Sequence, residues 1–243
     1  GECLATVIIN GTRYVGNEEP KNVSAEDGEF YATIDDAVNA GNKEVTLGAG
    51  NFNLKSFSTD LTITGVNKED TNVIIDTNTG DAQKINFVNV TVTRTPEANY
   101  RTVDMVTTQE NYENCIINGC VRLLVRESAT FTNCEFRNTQ KSGFNGYSIH
   151  YYAYNGSKVY VNNCTFNTVS KGICIFNEGV NEYYLEVNDS EFTASETDDK
   201  AAIQMHTEKG IKGTVVINTT TATGFADVNG GLWNEIVNSS NNI

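Results

Sequence analysis

Phe131-Thr132-Asn133-Cys134-Glu135-Phe136 and Val161-Asn162-Asn163-Cys164-Thr165-Phe166 share one pattern: a short alternating strand, an Asn, a small residue, and a second strand ending on Phe. The pattern also reads at Phe87-Val88-Asn89-Val90-Thr91-Val92, Tyr112-Glu113-Asn114-Cys115-Ile116-Ile117, Val187-Asn188-Asp189-Ser190-Glu191-Phe192 and Ile217-Asn218-Thr219-Thr220. The pivotal Asn or Asp falls at 89, 114, 133, 163, 189 and 218, giving spacings of 25, 19, 30, 26 and 29 residues. Irregular spacings of this size point to a solenoid with loops inserted between regular strands.

Each unit follows the same physical logic. A strand such as Val159-Tyr160-Val161 directs every second side chain inward. Asn163 then turns the chain, because Asn tolerates left-handed backbone and bonds to nearby peptide groups. Cys164-Thr165-Phe166 points Cys and Phe inward again, and a third strand, for example Gly172-Ile173-Cys174-Ile175-Phe176, follows a variable connection. Three strands per coil with one recurrent corner predict a parallel β-helix over 31–237, with a polar tail at 238–243. An antiparallel β-sandwich, the competing reading, has no need of an Asn corner at matched positions.

Stacked coils bring equivalent residues about 4.8 Å apart. Cys115, Cys134 and Cys164 then form an inner column, continued by Ser190 and Thr219. Buried Cys commonly acts as a small apolar residue, yet the spacing also suits a Cys115–Cys134 disulfide. The Asn-x-Ser/Thr matches at Asn89, Asn163 and Asn218 read as corners before they read as glycosylation sites. Upstream, Thr33-Ile34-Asp35-Asp36-Ala37-Val38-Asn39-Ala40 predicts a short helix with Thr33 as N-cap and an apolar Ile34/Ala37/Val38 face. Such a helix would cover the open end of the coil, with residues 1–30 packing beside it as a strand and loop. Glu44-Val45-Thr46-Leu47 follows as the first strand.

With 243 residues, 39% of them apolar, 11 Phe and 11 Tyr, the chain can bury one substantial core. Its net charge of −14 opposes nucleic acid and anionic membrane surfaces. No stretch approaches the roughly 20 apolar residues of a membrane span. Gly1-Glu2-Cys3 opens without an apolar leader, and a secreted or cell-surface setting is expected, any signal peptide having been removed.

The run from Ala32 to Ala40, followed by Glu44 to Phe52, resembles the opening of pectin-lyase-like right-handed β-helix proteins. Leu61-Thr62-Ile63-Thr64-Gly65 through Val73-Ile74-Ile75-Asp76 is similar to their next coil, and the Asn-Cys/Ser/Thr units are similar to the rest. This resemblance implies an all-β, right-handed parallel β-helix with a short N-terminal capping helix. It leaves activity open, since such proteins include polysaccharide lyases, hydrolases, tailspikes and adhesins. The polygalacturonase-like motifs are missing: the Asp-Asp pairs are only Asp35-Asp36 and Asp198-Asp199, neither histidine is flanked by glycines, and no Arg-Ile-Lys occurs. Glycoside hydrolysis needs two opposed carboxylates, which the pattern does not supply.

The third strands suggest a surface face. Taking alternate residues outward, one column reads Leu124, His150, Cys174, Gln204, Trp233, and its neighbour reads Arg126, Tyr152, Phe176, His206, Glu235, with Arg122 alongside. Aromatic faces suit sugar rings and Arg pairs with carboxylates, so Arg122, Arg126, His150, Tyr152, Phe176, Gln204, His206 and Trp233 are candidate contacts for a polysaccharide or surface glycan. The competing reading has the face covered by loops around 94–102, 139–147 and 195–200, its aromatics forming a satellite cluster. A lyase would need a base and a cation or Arg beside the uronic carboxylate. His150, Arg126 and Lys171 are candidates for that role. Glu178 and the loop Glu196, Asp198, Asp199 are the candidate ligands for Ca2+, although a solvated acidic turn is the better reading of that loop. Three functions follow: glycan binding or adhesion, polysaccharide lysis, or a structural part of a larger assembly.

Overall fold

The computed structural model describes residues 5–55, 57–77, 79–98, 101–102, 104–153, 156–177, 182–197, 199–207 and 212–237. Cys3, Glu178, Asp198 and the 238–243 tail lie outside them. Alternating inward side chains drive the chain into three walls of parallel strands. The first wall stacks Glu44–Leu47, Leu61–Gly65, Thr79–Val88, Met105–Glu113, the later part of Val121–Thr132, Lys158–Asn162, Tyr183–Asn188 and Gly213–Asn218. The second runs from Gly50–Asn53 to Thr221–Thr223 through Glu135–Asn138 and Thr165–Thr168. The third pairs the start of Val121–Thr132 with Ile149–Tyr152, Ile173–Asn177, Ile203–Thr207 and Trp233–Val237. Each strand pairs with its counterpart one coil away, which defines a parallel β-solenoid.

The corners between the first and second walls carry the fold. Asn89, Asn114, Asn133, Asn163 and Asp189 all adopt left-handed backbone, with φ between 50° and 55°. The last corner differs from the sequence expectation. Asn218 stands opposite Asn188 in the strand, and Thr219 takes the corner with φ 47°. The side-chain column likewise continues to Thr220 instead of Thr219. A β-branched residue crowds its own backbone there, so this corner is strained where the others are not.

Amide side chains bind coil to coil. Asn114 Nδ2 donates to Asn89 Oδ1 at 3.0 Å and Asn163 Nδ2 to Asn133 Oδ1 at 2.6 Å. One position earlier, Asn188 donates to Asn162 and Asn218 to Asn188, at 2.9 and 2.8 Å. Inside the corner a second ladder runs the other way. The backbone N–H of Cys134 donates to Cys164 Sγ, that of Cys164 to Ser190 Oγ, and that of Ser190 to Thr220 Oγ1. Cys115, Cys120, Cys134, Cys164 and Cys174 are buried free thiols, so the inner column is packed, not bridged.

Aromatic rings fill the core in register. Phe136, Phe166 and Phe192 stack with 4.2 Å between successive centroids, and Phe87, Tyr112 and Phe131 form a parallel stack at 5.0 and 4.6 Å. Each fully buried ring of this kind stabilises the fold by roughly 1.5–3 kcal/mol through burial.

The two ends are finished differently. At the N-terminal end the helix Ile34–Asn39 buries Ile34 and Ala37, and Thr33 Oγ1 caps it by accepting from the Asp36 N–H at 3.1 Å. Val23–Ala25 pairs antiparallel with Glu44–Leu47 and closes the edge of the first wall. A hairpin, Thr6–Ile9 with Thr12–Val15, turns at Asn10-Gly11 against Gly48 and Val66. At the C-terminal end, Gly213–Asn218, Thr221–Thr223 and Trp233–Val237 have no strand beyond them among the described residues.

Corner chemistry sets the expected stabilities. Asn163→Ala should lower the unfolding free energy by about 1–2 kcal/mol, the cost of left-handed backbone without an adaptable side chain. Thr219→Asn should raise it by about 1 kcal/mol through relief of strain. Urea unfolding of the two variants checks both signs.

Candidate functional site

Pairing along the third wall assembles a different column from the one expected. Arg122 stands opposite His150, His150 opposite Cys174, Cys174 opposite Gln204, and Gln204 opposite Asn234. Tyr152, Phe176, His206 and Ile236 form the neighbouring column. Leu124 and Arg126 are therefore displaced from their expected places, and Trp233 pairs with Ile203 and Glu235 with Met205. Arg126 is exposed, beyond the stretch that pairs with the third wall.

The column is buried. His150 and His206 are each 3% exposed, Gln204 and Cys174 are fully buried, and Phe176 is nearly so. What covers them is the segment 139–147, ending in the 3-10 turn Phe144–Gly146. Phe144 lies flat on the His150 ring, with 4.1 Å between centroids and 5° between planes. Tyr147 donates its hydroxyl to Gln204 Oε1 and approaches His206 Nε2 at 3.2 Å. Lys171 Nζ sits 5.1 Å from the centre of the Tyr147 ring and donates to the Gly143 carbonyl at 3.4 Å. Phe144 O accepts from Cys120 Sγ, and Lys141 pairs with Glu196. This lid thus touches four successive coils. Tyr147, Cys174 and Phe176, with Phe144 and Tyr152 against them, form an apolar cluster separate from the main core.

Electrostatics agree with closure. Burial, then the nearby Arg122 and His206, push the His150 imidazole down to about 3. Its two ring nitrogens have no hydrogen-bond partner among the described residues. A neutral, desolvated ring of this kind is a weak proton acceptor. Arg122 is engaged by Asp104 and lies 5.4 Å from the centre of the Tyr152 ring. Of the acidic loop, Glu196 pairs with Lys141 and Asp199 lies 3.9 Å from Lys200. Among the described residues no three His, Cys, Asp or Glu side chains converge.

A polar cluster that the sequence pattern concealed lies inside the solenoid. Arg94 and Glu110 are buried and joined at 2.8 Å, and both bond to the Tyr112 hydroxyl, at 2.9 and 2.7 Å. Thr107 donates to Glu110 at 3.1 Å, and Arg94 Nη1 donates to the Arg122 carbonyl at 2.6 Å. Burial pushes the Glu110 carboxyl above its ordinary range, with Arg94 opposing. A register shift between Thr107 and Gln109 puts Glu110 on the inner face, out of simple alternation. Arg94, expected in a covering loop, ends a second-wall strand instead.

No family model, no curated protein and no solved structure matches the chain.

Two outcomes are expected. Because the folded His150 pKa lies below its ordinary value, its contribution to stability is complete above about pH 6.5. It is lost by up to ~1.4 kcal/mol per unit as pH falls toward 3. The stability of His150→Phe relative to wild type should therefore improve steadily below pH 6.5, as read by urea unfolding. Glu110→Leu should cost about 3–5 kcal/mol by leaving Arg94 unpaired. The double variant Arg94→Met/Glu110→Leu should cost less than that single change, measured in the same assay.

Proposed function

We propose that this chain is a structural β-solenoid module of a secreted or cell-surface protein, wound right-handed, that works by docking further β-structure at its ends. Right-handed winding is the expected sense for parallel strands joined by crossovers. No helix among the described residues is long and apolar enough to cross a membrane. The covered third wall favours this reading over a glycan groove or a lyase cleft on that face, since His150, Gln204 and His206 are shut beneath the lid.

The single observation that carries the proposal is the C-terminal end, where no strand covers the last coil among the described residues. There the inner side chains Val215, Ile217 and Ala222 are only half-buried, and Trp233 is 40% exposed. Val215, Ile217 and Trp233, with Tyr183, Met205 and Gly213, border a depression of about 430 Å³. The edge strands Gly213–Asn218 and Thr221–Thr223 carry no charge, whereas solvent-facing edges are normally guarded by charge, proline or a cover. Helix and antiparallel strand supply such a cover at the opposite end.

Glycan binding keeps a second location. Tyr160 and Tyr184 stand half-buried on the outer face of the first wall, 5.8 Å apart, with Lys158 over Tyr184 and Glu186 accepting the Tyr184 hydroxyl. Exposed ring faces of this kind can carry a neutral sugar chain.

Native electrophoresis through gels containing neutral or uronic polysaccharides separates the readings. Unretarded migration, with an apolar dye bound by wild type and released by Ile217→Lys, is the expected result. Retardation that survives Ile217→Lys and disappears in Tyr184→Ala would replace the structural reading with a binding one.

A further inference from the structure

The His150 ring carries two nitrogens that water would keep hydrogen-bonded, and neither has a partner among the described residues. Phe144 lies flat on the ring, and the Tyr152 and Phe176 rings stand across it with centroids 6.4 and 5.9 Å away. Closing the lid therefore strips water from both nitrogens and returns only ring contact. His150 opposes the cover that the other residues of the column hold in place.

The lid is fastened unevenly. Its feet are clamped by Asn138, whose buried Nδ2 donates to the Asn145 and Tyr147 carbonyls at 2.9 and 2.8 Å. Over His150 the contacts are longer. Gly146 N–H reaches the Gly143 carbonyl at 3.3 Å, Tyr147 N–H reaches the Phe144 carbonyl at 3.2 Å, and the Cys120 thiol reaches that same carbonyl at 3.4 Å. The tip is held from outside by the exposed Lys141–Glu196 pair. Gly143, with φ 58° and ψ −154°, occupies backbone space that only glycine enters freely, and it is the natural place for the turn to bend.

The titratable and charged groups around the ring are Arg122 on the coil before, Cys174 on the coil after, Tyr152 on its own strand, His206, and Tyr147 with Lys171 at the lid. Arg122 is in turn held by Asp104. Burial first, then Arg122 and His206, keep the covered ring neutral down to about 3. We infer that the 139–147 lid is an acid-released cover: a proton on His150 lifts the Phe144 turn and opens the third-wall column to solvent. This device is separate from docking at the ends, which requires the lid neither open nor closed. The closed state holds the proton less tightly than the open one, so acid favours opening, by about tenfold for each pH unit from 6.5 toward 3.

Amide hydrogen exchange across 142–147, corrected for the intrinsic rate at each pH, reads this opening directly. Glu196→Gln is the chain to use, because it takes the Lys141–Glu196 pair out of the comparison. Protection of the lid amides should fall by about tenfold per unit between pH 6.5 and 4.5, while the strands Lys158–Asn162 and Tyr183–Asn188 stay protected. Adding His150→Phe to the same chain should abolish the slope. Lid protection that does not change with pH in Glu196→Gln would overturn the inference. A slope that survives His150→Phe would overturn it too, by moving the effect to another group.

Proton magnetic resonance of the two histidines gives a second measure that does not depend on His150→Phe folding. In wild type the His150 ring should stay neutral well below pH 6.5 and take its proton only as lid protection is lost. Phe144→Ala, which removes the covering ring, should bring that titration back toward 6.5. An imidazole that titrates near 6.5 beneath a lid still protected from exchange would show that proton and cover are uncoupled, and the inference would be wrong.

Discussion

A chain that winds through successive coils must turn by the same amount each time, or its inner side chains lose phase with those below. Here that demand falls on one residue per coil, held in left-handed backbone at Asn89, Asn114, Asn133, Asn163, Asp189 and Thr219. Asn meets it because its side chain tolerates the conformation and bonds to the coil beneath. With the corner placed, the residues on either side fall into fixed roles. The preceding strand delivers Phe131 or Val161 inward, the following one delivers Phe136 or Phe166, and the small residue between them lines the inner bend. Ring stacks and the thiol column are consequences of that phase.

Local signals of this kind were legible in the sequence, and they extended to the cap, where Thr33 and the Ile34/Ala37 face appear as expected. The third wall was harder to read. Its strands lie far from the corner that anchors register, separated by connections of varying length, so alternation alone could not place Arg122 instead of Leu124 beside His150. Trp233 shows the same slip at the last coil. Asn218 misled because the strand and the corner both use Asn, and only pairing with Asn188 reveals which is which. Glu110 escaped because a bulge reverses the in–out order after Thr107. Covering of the His150 column by 139–147 is a tertiary event. Of the two readings the sequence offered, it is the one with the face covered by loops and a satellite aromatic cluster, and its trace is Phe144 and Tyr147 in an otherwise polar loop.

These features together describe a solenoid whose large apolar residues, among those described, are exposed only toward its two ends. Its flanks are dense in Asn, Thr and acidic side chains that favour water. Its third wall, which in outline offers a row of aromatic and cationic groups, turns those groups into an internal packing surface. Chemistry that needs an accessible base finds none in that column while the lid is down. What remains is a regular stack whose large apolar residues, among those described, are buried along its sides and exposed near its ends.

The lid has a mechanical meaning beyond concealment. In a solenoid each coil ordinarily touches only its immediate neighbours, so turns can peel away one after another from either tip. The segment from Lys141 to Tyr147 reaches Cys120, His150, Gln204 and Glu196, and so laces together turns that would otherwise be independent. The coils from Cys120 to His206 accordingly yield as a block under load or denaturant, while the turns before Asn89 and after Thr207 retain the freedom to fray.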